Sequence, residues 1–128
     1  VCAGMGGDTM VSILSAAPWL QSEKYRLILQ CQTRNHLLRR YLSENGWHIA
    51  REDVLKDGKF LYTVLEAVWK PGQSLTPGQC YFPPNLTGEI SGYYEWVVKG
   101  LENIVLNRGE QADPFAIDAL NELKRIKL

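Results

Sequence analysis

Three glycines within the first seven residues constrain this chain more than any other feature. Val1-Cys2-Ala3 is apolar and empties at once into Gly4-Met5-Gly6-Gly7. Glycine admits positive φ and lets another backbone or a ligand approach where a Cβ would intervene. A short apolar run ending in such a loop predicts a β-strand that turns sharply at the carboxyl edge of a sheet, where open α/β sheets bind ligands. The loop is not GxGxxG and lacks the Lys-Ser/Thr pair of a P-loop, so it is a poor nucleotide-phosphate cradle. On pattern alone, a turn built only to avoid a clash and a ligand-lining loop both stay open.

Behind the loop, helical and strand patterns alternate. Asp8 is placed to cap a helix through Met10, Val11, Ile13 and Leu14 that closes near Ala17-Pro18. Arg26-Leu27-Ile28-Leu29-Gln30 reads as a buried strand. Asn35 is placed to cap a helix carrying Leu37, Leu38, Tyr41 and Leu42 on one face, ended by Asn45-Gly46. Trp47, Ile49 and Val54 lie on a strand that turns at Asp57-Gly58 and returns from Phe60 to Trp69, where Pro71-Gly72 stops it. This order predicts an α/β fold: the carboxyl-terminal half of a doubly wound sheet, its last strand antiparallel at the edge. A Pro- and Gly-rich loop over 71–84 leads into a long helix from Ile90 through Val105, broken at Asn107-Arg108-Gly109. Asp113-Pro114 then opens a helix whose apolar face is Phe115, Ile117, Leu120 and Leu123, with Ile126 as a candidate extension of it. The expected organisation is a partial sheet domain over 1–72 and a helical-hairpin, coiled-coil-like domain over 73–128.

Composition excludes several functions. Apolar residues make up 45% of 128, enough for a core, while fourteen basic and fourteen acidic residues cancel. Net charge therefore gives no general pull toward nucleic acid, and any RNA contact must be local. Cys2, Cys31 and Cys80 form no CxxC pair and no Cys/His cluster, which argues against a metal site or a disulfide framework and for reduced, cytoplasmic thiols. No apolar run approaches the length of a membrane span.

Arg34, Arg39 and Arg40 gather near the start of the second helix, and Lys124, Arg125 and Lys127 close the last. Either group could neutralise phosphates, the alternative being a solvated face and a favourable helix-dipole contact. His36 and His48 read as packing or surface residues, and Cys31 as inert for want of a neighbouring His. Trp47, Trp69 and Trp96 fall on apolar faces and read as core. Trp19, in a polar loop, is the tryptophan least explained by packing.

Four motifs in order carry a family resemblance. Cys2-Ala3-Gly4-Met5-Gly6-Gly7 with Met10-Val11-Ser12-Ile13-Leu14 resembles the AGMGG fourth-strand motif and following helix of the bacterial S-adenosylmethionine-dependent tRNA adenine-22 N1-methyltransferases. Arg26–Gln30 resembles that family's fifth strand, and Leu42-Ser43-Glu44-Asn45-Gly46-Trp47 its L-x-E-N-G-aromatic helix end. Glu52-Asp53 with Asp57-Gly58-Lys59-Phe60-Leu61-Tyr62 resembles its E-D…D-G-K-x-Y hairpin. The matching stretch runs from Val1 to about Lys70.

The resemblance implies a Rossmann-like methyltransferase sheet followed by a helical domain. It also implies S-adenosylmethionine as cofactor, tRNA as partner, and methyl transfer to N1 of an adenine. On this expectation Gly4, Met5, Gly6, Gly7 and Gln30 are substrate- or cofactor-binding, and Arg34, Arg39, Arg40, Lys124 and Arg125 bind RNA. The adenine N1 lone pair attacks the methyl directly, so catalysis is mostly positioning, and the base must leave its stack, with an aromatic residue of a neighbouring loop available to receive it. Asp8 has two readings, general base or helix cap. Where the family has Pro-Asn after the fifth-strand Gln, this chain has Cys31-Gln32, which loses the turn that proline pre-shapes. Nothing here resembles the family's donor-binding D-x-G-S-D-H-like motif. The expectation is therefore a carboxyl-terminal portion that alone neither binds the donor tightly nor methylates tRNA. Two rival readings stay open, a non-catalytic RNA-binding or protein-interaction module and a Rossmann enzyme acting on another acceptor. Neither a metal nor a membrane is expected as a partner, and homo-oligomerisation is left open.

Overall fold

A computed structural model describes residues 1–126. Five strands, β1 (Cys2–Met5), β2 (Arg26–Cys31), β3 (Trp47–Asp57), β4 (Phe60–Trp69) and β5 (Leu86–Gly88), form one sheet in the order β1-β2-β4-β3-β5. β1 runs parallel to β2 and β5 parallel to β3, while β4 is antiparallel to both its neighbours. The helices are α1 (Gly7–Ser15), α2 (Asn35–Glu44), α3 (Pro77–Tyr81), α4 (Ile90–Arg108) and α5 (Pro114–Leu123).

The mixed α/β architecture is the one expected, with four local corrections. The antiparallel return strand β4 is interior, between β2 and β3, so both of its backbone edges are paired; the short β5 covers the outer edge of β3 instead. The loop expected over 71–84 contains α3, opened by a capping box in which Thr76 and Gln79 exchange side-chain and backbone hydrogen bonds, with Pro77 at the first position. Asp8 is not a cap: Gly6 holds that position, and the Asp8 carboxylate accepts from Thr9 N inside the first turn. Asn35 is the first helical residue of α2, and its cap is Arg34, a non-glycine residue at φ 54°. Asp113 does cap α5, accepting from Phe115 N at 3.0 Å.

Two apolar clusters hold the elements together. Met10 and Leu14 of α1 and Leu38 and Leu42 of α2 pack on Leu29, Ile49, Leu65 and Ala67 of the sheet. Farther along the strands Val54 and Leu86 join Tyr93, Val97 and Leu101 of α4 and Leu120 and Leu123 of α5. Val54 pairs directly with Thr63, and Glu52 with Leu65, so the two clusters share a face of the sheet.

Between the clusters lies a buried ion pair. β3 slips register between Ile49 and Arg51, and the extra residue shifts its inward positions from Trp47 and Ile49 to Glu52 and Val54. Glu52 is thereby turned into the interior, where it meets Arg39 of α2; both are essentially unexposed. The Arg39 Nε and Nη2 atoms donate to the Glu52 carboxylate (3.1 and 2.6 Å), Nη1 to the carbonyls of Cys80 and Tyr81 (2.8 and 3.1 Å), and Nη2 to the Tyr93 hydroxyl (2.8 Å). Burial opposes the charge on Arg39, but Glu52 and then Tyr93 more than offset it, so its pKa stands above the ordinary value.

Removing one partner of such a pair strands the other charge. Arg39→Met should cost about 3–5 kcal/mol in urea unfolding, and Arg39→Met with Glu52→Leu should recover part of that loss. A single variant within about 0.5 kcal/mol of the parent, the scale of an ordinary surface change, would contradict this role.

Candidate functional site

The length of the hairpin creates the site. β2 pairs with β4 only from Val68 to Val64, so the far ends of β3 and β4 project beyond the carboxyl end of β2. In the angle between that overhang, the start of α2 and the flank of α4 lies a cleft of about 740 Å³. Gln30, Arg34 and His36 line it from the β2–α2 connection, Phe60 and Tyr62 from the hairpin, and Trp96 from α4. The carboxyl end of a strand is where an open α/β sheet places its ligands.

The glycine loop abuts this cleft through Gln30. Gly4 N donates to Gln30 Oε1 (3.0 Å), Gln32 N to Met5 O (2.9 Å) and Gly7 N to Thr33 O (2.8 Å), which lashes the loop after β1 to the loop after β2. The glycines divide by role. Gly7 is packed so closely that a Cβ would collide with the Arg34 carbonyl, and one on Gly6 would press on Asp8 and Thr33 at 2.9 and 3.0 Å. Gly4, at φ 80°, faces open space. Met5 is half-buried against the first apolar cluster. The structure thus brings Gly4, Met5, Gly6, Gly7 and Gln30 into one network, with the missing Cβ of Gly7 used for packing.

The cationic residues separate. Arg34 lines the cleft with an exposed side chain, 3.9 Å from the equally exposed Asp8, a contact that contributes little. Arg39 is withdrawn as an RNA contact, because all five of its N–H donors are used inside the protein. Arg40 pairs with Glu44 at 2.9 Å and lies 4.7 Å from the centroid of the Phe115 ring. Lys124 stands 3.9 Å from Glu102, and Arg125 is exposed. Lys127 lies outside the described residues.

Burial pushes the Cys31 and Cys80 thiols up to about 11, which keeps them protonated. His36 stacks on Tyr81 with ring centroids 4.3 Å apart. Burial and then the Arg39 charge lower its pKa to about 4. Among the described residues no group of three or more His, Cys, Asp and Glu stands together as a metal site, and no helix is long and apolar enough to cross a membrane.

Trp96 is the principal correction among the aromatics: 47% exposed, it faces the cleft, whereas Trp47 is buried and Trp69 packs edge-on against it at 5.3 Å. Trp19 is exposed and meets Tyr25 edge-to-face at 5.6 Å. Phe60 and Tyr62 were not singled out as site residues by the sequence. The available signals were an aromatic pair beside a hairpin turn and a tryptophan one residue out of phase with the buried stripe of its helix.

The family model described as "Methyltransferase domain" matches residues 1–65. "Putative tRNA methyltransferase MG248" of Mycoplasma genitalium is 36% identical over 75 residues, which are 56% of this chain and 32% of that protein. A solved NADB-Rossmann superfamily protein of Streptococcus agalactiae superposes with a TM-score of 0.71 at 23% identity, over 95% of this chain and 56% of the other. The B. subtilis M1A22 tRNA methyltransferase TrmK superposes with a TM-score of 0.66 at 25% identity, again over 95% of this chain and 56% of that one. The chain thus spans about a third of the curated relative and about half of each solved chain, and its fold is Rossmann-like.

The half-buried His36 imidazole makes stability depend on pH. The unfolded chain protonates His36 near 6.5 and the folded chain only near 4, so the unfolded state binds more protons in that window and stability falls as pH drops through it. His36→Phe keeps the ring stack and removes the titration. The urea midpoint of the parent should therefore fall more between pH 7 and pH 5 than that of the variant; equal falls would contradict the assignment.

Proposed function

The chain belongs to the methyltransferase-domain family, and we propose that it forms the acceptor side of an S-adenosylmethionine-dependent tRNA adenine-N1 methyltransferase acting in the cytoplasm. The observation that carries this reading is the lashing of the glycine loop to the β2–α2 connection beside a cleft lined by aromatic rings, amides and one exposed guanidinium. Support comes also from the ordered motifs of the first seventy residues and from the M1A22 enzyme of B. subtilis, whose fold spans nearly all of this chain.

The residues present suit such a use. Gly4 offers bare backbone over open space, so a ligand meets no side chain there. Gln30 fixes the Gly4 amide, and Met5 supports the loop from the first apolar cluster. Bound S-adenosylmethionine supplies an electrophilic sulfonium methyl group. The task left to Gly4, Gly6 and Gln30 is to hold the loop rigid, so that the acceptor nitrogen is presented in line; positioning of this kind accounts for a large share of such a rate enhancement. Residues 1–72 act as the methyltransferase portion and residues 73–128 as the helical portion that engages RNA, with Arg34 of the first and Lys124 and Arg125 of the second as phosphate contacts.

The gene supplies the test. Primer extension on tRNA from cells in which the gene for this chain is disrupted should lose the stop produced by N1-methyladenosine at position 22, and complementation should restore it. A stop that persists unchanged after disruption contradicts the proposal.

A further inference from the structure

Helix α4 contains a glycine that the fold does not explain. Its buried stripe, Tyr93, Val97 and Leu101, faces the second apolar cluster. A second stripe, Trp96, Gly100 and Ile104, lines the cleft. Residues four apart lie one above the other on a helix, so these three make a continuous strip along α4. Glycine within a helix is destabilising relative to alanine, and it is normally kept where a neighbour comes close. Among the described residues none does: a Cβ on Gly100 meets nothing within 4 Å. A Cβ on Gly7, Gly78 or Gly88 would strike Arg34, Glu122 or Val54, and one on Gly92 of the same helix would touch Leu61 at 3.6 Å. The other glycines facing open space, Gly4, Gly58, Gly72 and Gly109, are held at positive φ, which Gly100 is not. Gly100 leaves a bare notch, one turn from a half-exposed indole on one side and from Ile104 on the other.

The rest of the cleft supplies planar polar groups. Gln30, Gln32 and Asn35 carry amides, and Arg34 an exposed guanidinium. Asn35 Oδ1, itself buried beneath the cleft wall, has no hydrogen-bond partner among the described residues. Asp57 stands on the hairpin side, so a phosphate is favoured at the Arg34 side. Amides and a guanidinium suit base edges and phosphate. The Gln30 amide is already bonded to Gly4 N and the Cys31 carbonyl, but a docking protein helix would cover the exposed Arg34 guanidinium and Gln32 side chain with apolar surface.

We infer that the Trp96–Gly100–Ile104 strip is a nucleobase shelf: an unstacked base of the RNA substrate lies flat over the Gly100 backbone beside the Trp96 ring, with its phosphate toward Arg34. This rests on the proposed tRNA substrate. It adds a specific role for α4, a face that a purely structural helix would fill with alanine or a larger residue.

Filter binding of the full chain to a tRNA transcript with adenine at position 22, alongside thermal unfolding, tests it. Gly100→Ala should raise the thermal midpoint, because it improves the helix, and yet weaken tRNA binding about fivefold. Trp96→Ala should weaken binding about tenfold or more, with Trp96→Phe retaining it within about threefold. Arg34→Gln should lower the salt dependence of binding by about one ion, while the Trp96 variants leave it unchanged. If the parent binds tRNA and both Gly100→Ala and Trp96→Ala bind it equally well, the shelf is wrong and the proposed function stands. A parent that binds no tRNA overturns the proposed function and the shelf with it. Self-association of the parent in sedimentation that Gly100→Ala abolishes also overturns the shelf, in favour of a protein partner at the notch.

Discussion

Arg39 holds the sheet and the helical part in one geometry. Its donors reach Glu52 on β3, two carbonyls at the end of α3 and the Tyr93 hydroxyl on α4, so three elements converge on a guanidinium carried by a fourth, α2. Replacing buried charges by apolar side chains is often neutral for stability, so the pair is better understood as a device for alignment than as a source of net free energy. The alignment matters because α4 forms one flank of the cleft and the hairpin forms another. The bond from Arg39 to the Tyr93 hydroxyl ties α4 toward α2 beside the cleft. The Tyr94 hydroxyl, donating to the Leu123 carbonyl at 2.7 Å, then ties α5 to α4.

The same arrangement explains which parts of the fold were legible in the sequence. Local patterns carried β1, β2, the hairpin and the four long helices, because alternation, the Asp57-Gly58 turn and the Asp113-Pro114 cap are short-range signals. The seat of β4 between β2 and β3 is a non-local pairing, and nothing in the order of elements distinguishes it from an edge position. α3 had a signature, Thr76-Pro77-Gly78-Gln79, but its five residues are hidden in a segment dominated by proline and glycine. The three residues of β5 make too short a pattern to read.

At the site, residue chemistry was legible and orientation was not. The glycine loop and Gln30 were singled out together, and they do form one network. Arg39 has the composition of a phosphate ligand yet sits in the buried stripe with Leu38 and Leu42. Strict alternation along β3 from Trp47 and Ile49 would turn Arg51 and Asp53 inward; the slip after Ile49 turns Glu52 inward instead, and with it the partner that draws Arg39 inside. Trp96 lies one residue from the core stripe of α4, close enough to be read as core in an apolar helix. Each misreading turns on a rotation by one residue, which sequence pattern resolves poorly where strands bulge and helices carry two apolar faces.

The proposed function requires that the cleft between the end of β2, the hairpin and α4 receive RNA. Ultraviolet crosslinking of the chain to tRNA, followed by peptide mass spectrometry, tests it most directly. The expected result is adducts on peptides carrying Arg34 to His36, Phe60 to Tyr62 and Trp96 to Ile104. Adducts confined to the exposed Trp19–Tyr25 surface, with none on those three segments, would contradict it.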